Sequence, residues 1–155
     1  MWKFENKIIN SIDDMPENTI GFVYEIKHIP SGQIYIGKKQ LFSERNVKIG
    51  KRELAQIKEE RKRLGMRGRV PAKKKVIKEM DWQNYYGSSP TMKELVKSGS
   101  ADEFDRNIIR FVDSKKKLTY YEEKELYTRS VLESDNEYIN DNIAGRFFRR
   151  DLIIG

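Results

Sequence analysis

Tyr24 and Tyr35 stand eleven positions apart, the first in an apolar run from Ile20 to Ile26 and the second behind the turn signal Pro30-Ser31-Gly32. Two apolar tracts around a Pro/Gly turn read as a β-hairpin. The hairpin places two phenols on neighbouring strands, next to Lys38, Lys39 and Arg45. Phenols beside cations can be depressed in pKa and can orient water or phosphate. A candidate cation ligand lies much further along. Glu122 falls on a predicted helix with no basic residue three or four places away, whereas Glu125 has Arg129 at i+4 in the favourable order. Glu122 is therefore the carboxylate left free for a cation, although Thr119-x-x-Glu122 also matches a capping box.

The elements that must position these residues follow from pattern and punctuation. Strands are expected over 20–28, ending at His28 before Pro30, and over 33–38. Residues 2–12, with Trp2, Phe4, Ile8, Ile9 and Ile12, read as a short helix. Residues 51–64 read as a helix polar nearly all round, stopped at Gly65, and such a helix packs weakly. A further helix opens at Ser89-Pro90, with proline suited to the first turn, and stops at Gly99. Phe104–Val112 is apolar enough for a third strand. Ser114 caps a helix over 115–132, with Tyr120, Tyr127 and Val131 on the expected core side and Leu118, Glu122, Glu125 and Arg129 on another. The fold class is α+β: a small three-stranded, mainly antiparallel sheet flanked by helices.

Composition bounds the function. A chain of 155 residues is expected to form one domain, and with 37% apolar and 35% charged residues its core is modest and its surface ionic. It has no cysteine, which excludes disulfides and cysteine-ligated zinc. Its single histidine, His28, excludes any multi-histidine metal site within one chain. No apolar stretch approaches a membrane span, and no apolar h-region follows Met1-Trp2-Lys3, so a cytoplasmic protein is expected. Net charge is +7, yet residues 51–78 alone carry +9, twelve Lys and Arg against three Glu, leaving −2 for the rest. A local excess of this kind marks a surface that meets a polyanion. Its expected contacts are Lys51, Arg52, Arg61, Lys62, Arg63, Arg67, Arg69, Lys73, Lys74 and Lys75, with Tyr86 as a stacking residue. The end of the chain, Gly145-Arg146-Phe147-Phe148-Arg149-Arg150, interleaves cations and aromatics and reads equally as a nucleic-acid contact or a packed tail.

On these residues the chain resembles the GIY-YIG endonucleases over 20–142. Phe22-Val23-Tyr24 stands in the place of Gly-Ile-Tyr, and Tyr35-Ile36-Gly37 is the second half of the motif. The Tyr35-Ile36-Gly37-Lys38-Lys39 start and the stretch from Asp81-Trp82 through Tyr85-Tyr86-Gly87-Ser88-Ser89 are similar to small phage-type members, the Seg homing endonucleases. The resemblance implies that Arg45 is the family arginine, Glu122 the metal-binding glutamate and Asn140 the asparagine that follows it. Ile49 occupies the position where many members place a histidine or tyrosine after the arginine, so Tyr85 and Tyr86 become candidates for that partner. The resemblance further implies cleavage of double-stranded DNA with Mg²⁺, or Mn²⁺ in its place, held by Glu122. Tyr24 by preference would take a proton from the attacking water, with Lys38 or Lys39 lowering its pKa; Tyr35 would position water or phosphate, and Arg45 would offer a fork to phosphate oxygens. One nuclease domain over 1–155 is expected, with 46–80 as a basic helical insertion and 143–155 as a tail, acting in the host cytoplasm if of phage origin. Homing, restriction and DNA degradation share this chemistry, and no sequence feature sets the oligomeric state. The alternative is a non-catalytic DNA-binding module that keeps the fold. A rival nuclease pattern, Asp113 with Glu122-Glu123-Lys124, needs its Glu-x-Lys on a strand, where alternate side chains share a face.

Overall fold

In the computed structural model, which describes residues 1–152, Glu5 and Asn6 take positive φ values of 48° and 67°. This is a two-residue turn of the hairpin type. It joins β1 (Trp2–Phe4) to β2 (Lys7–Ile9), so the helix expected over 2–12 is a hairpin instead. The tyrosine tracts form β3 (Gly21–His28) and β4 (Ile34–Gln40), joined around Gly32 at φ 73°. After Leu41 come β5 (Phe42–Lys48), α1 (Lys51–Arg63) and β6 (Lys73–Glu79), then α2 (Pro90–Ser98), β7 (Phe104–Val112) and α3 (Lys115–Thr128). Two short strands, β8 (Asn142–Ile143) and β9 (Phe147–Phe148), and a last turn of helix, α4 (Arg149–Leu152), close the described chain.

The chain divides into two compact units, Phe42–Glu79 and the remainder. In the larger unit the sheet has five strands rather than three, in the order β2-β1-β7-β3-β4. The expected trio of β3, β4 and β7 is its antiparallel centre and edge. The N-terminal hairpin adds two strands by pairing β1 parallel to β7, Trp2 opposite Arg106, which makes the sheet mixed. The pairing of β3 with β4 sorts side chains by alternation. Phe22, Tyr24 and Ile26 share a face with Tyr35, Gly37 and Lys39; Val23 and Glu25 share the other with Ile36 and Lys38.

α3 covers the second face. Ser114 caps it, accepting from the Lys117 N–H at 3.1 Å. Its core side is not the tyrosine side: Tyr120 and Tyr127 are 61% and 53% exposed, while Leu118 and Leu126 are buried. Leu118 packs with Val23 and Val112, and Leu126 with Ile36, Val131 and Leu132. Arg129 ties the helix end to the sheet, its Nε 2.9 Å from Glu125 and its NH1 2.8 Å from Glu25. The first face is aromatic, with Trp2 and Phe22 meeting edge-on at 5.0 Å and Phe22 and Trp82 at 6.3 Å.

In the smaller unit, β5 and β6 pair antiparallel over seven residues, Phe42 opposite Glu79 through Lys48 opposite Lys73. α1 connects their far ends and buries no residue fully, as its polar sequence predicts. Lys74 is paired with Glu53 of α1 at 2.7 Å, and Lys75 with Glu44 at 3.1 Å.

Candidate functional site

The tyrosines are set by what is missing beside them. Tyr24 lies opposite Gly37 in the β3–β4 register, and a Cβ on Gly37 would stand 2.4 Å from the Tyr24 hydroxyl oxygen. Only a hydrogen leaves room for the phenol to lie across the neighbouring strand. Gly87 caps the pair from the other side at φ 98°, where its Cβ would meet Tyr35 Cε1 at 2.8 Å. The Asp81–Ser89 stretch is held against the aromatic face by carbonyl contacts. Trp2 Nε1 donates to Trp82 O at 2.8 Å, and Arg106 NH1 donates to Gln83 O at 2.8 Å and Tyr85 O at 3.0 Å. The Arg106 guanidinium is buried, 4.7 Å from the Trp2 ring and 4.2 Å from the Tyr86 ring.

At the open edge of β4 lies a cleft of about 250 Å³ lined by Tyr35, Ser88, Ser89, Glu122, Asn140 and Asp141, among others. Glu122 reaches it from α3 with its side chain 21% exposed. Burial pushes its carboxyl pKa up, partly offset by Lys38, whose Nζ is 3.8 Å away and donates to Thr119 Oγ at 3.0 Å. Asn140 closes the edge. Its side-chain oxygen accepts from the Ile36 N–H at 2.9 Å and its amide donates to Ile36 O at 2.8 Å. One side chain thus stands in for a sixth strand's peptide, continuing the backbone bonds that Glu137 and Ile139 make with Ile34. Arg149 braces this segment from below, donating to the carbonyls of Val131, Ser134, Tyr138 and Asn140. That fixes Arg149 as a packed tail residue.

The tyrosine pKa values run opposite to the sequence expectation. Burial holds the Tyr24 phenol, 1% exposed, well above its usual value of 10.0, and the neighbouring Tyr35 and Tyr85 add to the shift. Its hydroxyl is hydrogen-bonded to Tyr85. Tyr35 is also raised by burial, and its bond to Ser88 pulls it partly back. Neither lysine depresses Tyr24. Lys38 sits on the opposite face of β4 with Glu122, and Lys39 stands 4.3 Å over the Tyr85 ring, its own pKa lowered by burial.

Of the residues singled out in the sequence, Tyr35, Glu122 and Asn140 line one cleft, with Lys38 against Glu122 and Tyr24 beneath Tyr35. Arg45 is exposed on β5, opposite Val76, and belongs to the smaller unit. So do Lys51, Arg52, Arg61, Lys62, Arg63, Arg67, Arg69, Lys73, Lys74 and Lys75, all exposed except the half-buried Arg61. Ile49 is a buried residue of that unit, not a surface partner for a phosphate. Tyr85 is engaged by Tyr24 and Lys39, and Tyr86 is half-buried between Arg106 and Phe104. The rival Glu-x-Lys is helical, and Asp113 is paired with Lys117 at 2.9 Å. The sequence offers no sign of a site role for Arg106, and shows Trp2 and Ser88 only as members of an apolar pattern and of the Asp81–Ser89 stretch. The Gly-Ser-Ser after the paired tyrosines was the available signal for Ser88; Arg106, in the middle of a strand, carried none.

Among the described residues no group of three His, Asp or Glu side chains could enclose a metal. The donor set nonetheless fits Mg²⁺, which is held by one or two carboxylates and otherwise by water and substrate phosphate. Glu122, half-buried and facing a polar cleft, is a carboxylate of that kind.

A family model described as "Putative endonuclease segE, GIY-YIG domain" matches residues 2–143. The chain belongs to the Seg-type GIY-YIG endonucleases, and its domain is a nuclease domain. No curated protein and no solved structure matches it. Among the described residues no helix is long and apolar enough to cross a membrane.

Proposed function

We propose that the protein is a metal-dependent endonuclease that hydrolyses phosphodiester bonds of double-stranded DNA. The observation that carries this reading is the meeting of Tyr35 and Glu122 in one cleft, in a chain of this family. Glu122 would hold Mg²⁺, with Asn140 fixing the strand that carries Tyr35. When bound, the metal supplies charge stabilisation at the scissile phosphate. Tyr35 is the phenol that meets the substrate: it opens on the cleft, and with its pKa raised it holds its proton at neutral pH and donates a hydrogen bond to a phosphate oxygen or the incoming water. Tyr24 supports it from beneath. Lys38 offsets part of the upward shift that burial imposes on Glu122 and adds positive charge beside the cleft. Arg45 offers a guanidinium to DNA phosphate, and the Lys and Arg of the smaller unit supply sequence-independent affinity. A phage setting, with homing or DNA degradation as the role, is in keeping with the Seg-type family.

The test is cleavage of supercoiled plasmid by wild type, Glu122→Gln and Glu125→Gln, in Mg²⁺ and in EDTA. Glu122→Gln keeps the shape and removes the charge, so activity is lost while duplex binding persists. Glu125→Gln cuts like wild type, because that carboxylate serves Arg129; it loses about 1 kcal/mol of stability at most. Full activity of Glu122→Gln in Mg²⁺, or full activity of wild type in EDTA, would remove the assignment.

A further inference from the structure

The β5–β6 ribbon has two unlike faces. On one, Val47 and Val76 are half-buried and Lys74 is held by Glu53 of α1. On the other, register places Glu44, Asn46 and Lys48 beside Lys73, Lys75 and Ile77, and every one of these is exposed. That face contains two features that a solvated surface does not explain. Lys48 and Lys73 are directly opposite each other, a like-charge cross-strand pair that costs stability. Ile77 is 62% exposed in a strand whose solvent face otherwise carries charge.

We propose that this face of the ribbon enters the major groove of duplex DNA and reads base edges, with Asn46 as the principal reader. The inference rests on the endonuclease reading above and deepens it by naming the element that selects sequence. The dimensions agree: two strands lie about 4.8 Å apart, and a major groove about 12 Å wide admits a two-stranded ribbon. The chemistry agrees as well. Asn46 and Lys75, opposite each other, are the side-chain types that bond adenine and guanine edges in that groove, and Ile77 is suited to a thymine methyl. The ion pair between Lys75 and Glu44 holds both side chains over the face. Lys48 and Lys73, at the end of the ribbon joined by α1, sit where a groove-bound ribbon meets phosphate, and the polyanion relieves their repulsion.

The test uses the full-length chain, bound in EDTA to a short duplex centred on a mapped cut and treated with dimethyl sulfate. That reagent places methyl groups on guanine N7 in the major groove and on adenine N3 in the minor groove. Bound DNA is expected to be depleted of N7-methylguanine at positions flanking the cut. Adenine N7, which dimethyl sulfate does not report, is read by 7-deazaadenine substitution: at one or two positions flanking the cut it should weaken wild-type binding and leave Asn46→Ala binding unaffected, with the same salt dependence in both. Lys48→Gln with Lys73→Gln should lower the slope of log K against log salt by about 0.9 per charge and raise the melting temperature, since a repulsion is removed. Depletion confined to N3-methyladenine, or an Asn46→Ala response to 7-deazaadenine identical to wild type, overturns the ribbon assignment and leaves the endonuclease reading standing. A protein that binds no duplex overturns both.

Discussion

At the scale of single residues, burial outweighs neighbouring charge. The sequence puts Lys38 and Lys39 immediately after the second tyrosine, and proximity along the chain points to a depressed phenol. Alternation along β4 sends Lys38 to the far face, and the aromatic layer around Tyr24 excludes the water that an ionised phenol needs. The consequence for stability has a definite sign. With the folded pKa of Tyr24 above 10.0, both folded and unfolded chains keep the proton at neutral pH, and no stability is lost there. As pH rises past 10.0 the unfolded chain releases the proton first, so stability falls with a slope approaching 1.4 kcal/mol per pH unit, about the value for one proton. Tyr24→Phe lacks that group. Its stability, measured by urea unfolding from neutral to strongly alkaline pH, should start about 1 kcal/mol lower from the lost Tyr85 hydrogen bond and then decline less steeply than wild type. Parallel curves would mean that Tyr24 ionises as freely in the fold as outside it.

At the scale of elements, the site depends on an edge strand that would otherwise be unsatisfied. Asn140 supplies both bonds to Ile36, and the orientation of its amide is fixed because one atom must accept and the other donate. Asn140→Ala leaves two buried backbone groups unpaired and should cost about 2–3 kcal/mol. Asn140→Asp should be at least as damaging at neutral pH, since a carboxylate oxygen then faces the Ile36 carbonyl. It should recover in acid, where the protonated carboxyl can donate again. Chemical denaturation of both variants at neutral and acid pH checks this, and a neutral-pH Asn140→Asp as stable as wild type would sink the clamp. The sequence revealed the elements with strong local signals: the tyrosine hairpin, the β7 tract Phe104–Val112, Ser114 as a cap and the helix that stops before Gly65. It hid those that depend on distant partners. The N-terminal hairpin needs β7 to pair with, and its turn is Glu5-Asn6, without the glycine that usually advertises such turns. Periodicity points to the wrong side of α3 because it counts tyrosines as apolar, whereas two of them face solvent and Leu118 and Leu126 do the packing. Glu122 was legible through the absence of a helical partner. Its actual partner, Lys38, comes from the sheet, which no local spacing reveals.

At the scale of the whole molecule, charge and chemistry are segregated along the chain. Residues 42–79 hold a net +9, so the larger unit, with Tyr35 and Glu122, carries −2 of the total +7. The larger unit also closes on itself where the smaller one leaves it. The Leu41 N–H donates to Ile20 O at 2.9 Å, and the Met80 N–H donates to Leu41 O at 2.7 Å, so the two ends of the excursion are in hydrogen-bond contact. A chain in which 42–79 is replaced by a short Gly-Ser connection therefore demands no rearrangement of β4 or of the Asp81–Ser89 stretch. It should unfold cooperatively and keep the near-ultraviolet circular dichroism of Trp2 and Trp82, which are buried together. Without the basic residues of the smaller unit it displaces fewer counterions from duplex DNA, and its affinity should fall at least about 100-fold at moderate salt, with a flatter salt dependence. Wild-type affinity in this variant would place the DNA contact on the larger unit, beside Arg146 and Arg150. Loss of cooperative unfolding would show instead that the smaller unit is part of the fold's stability.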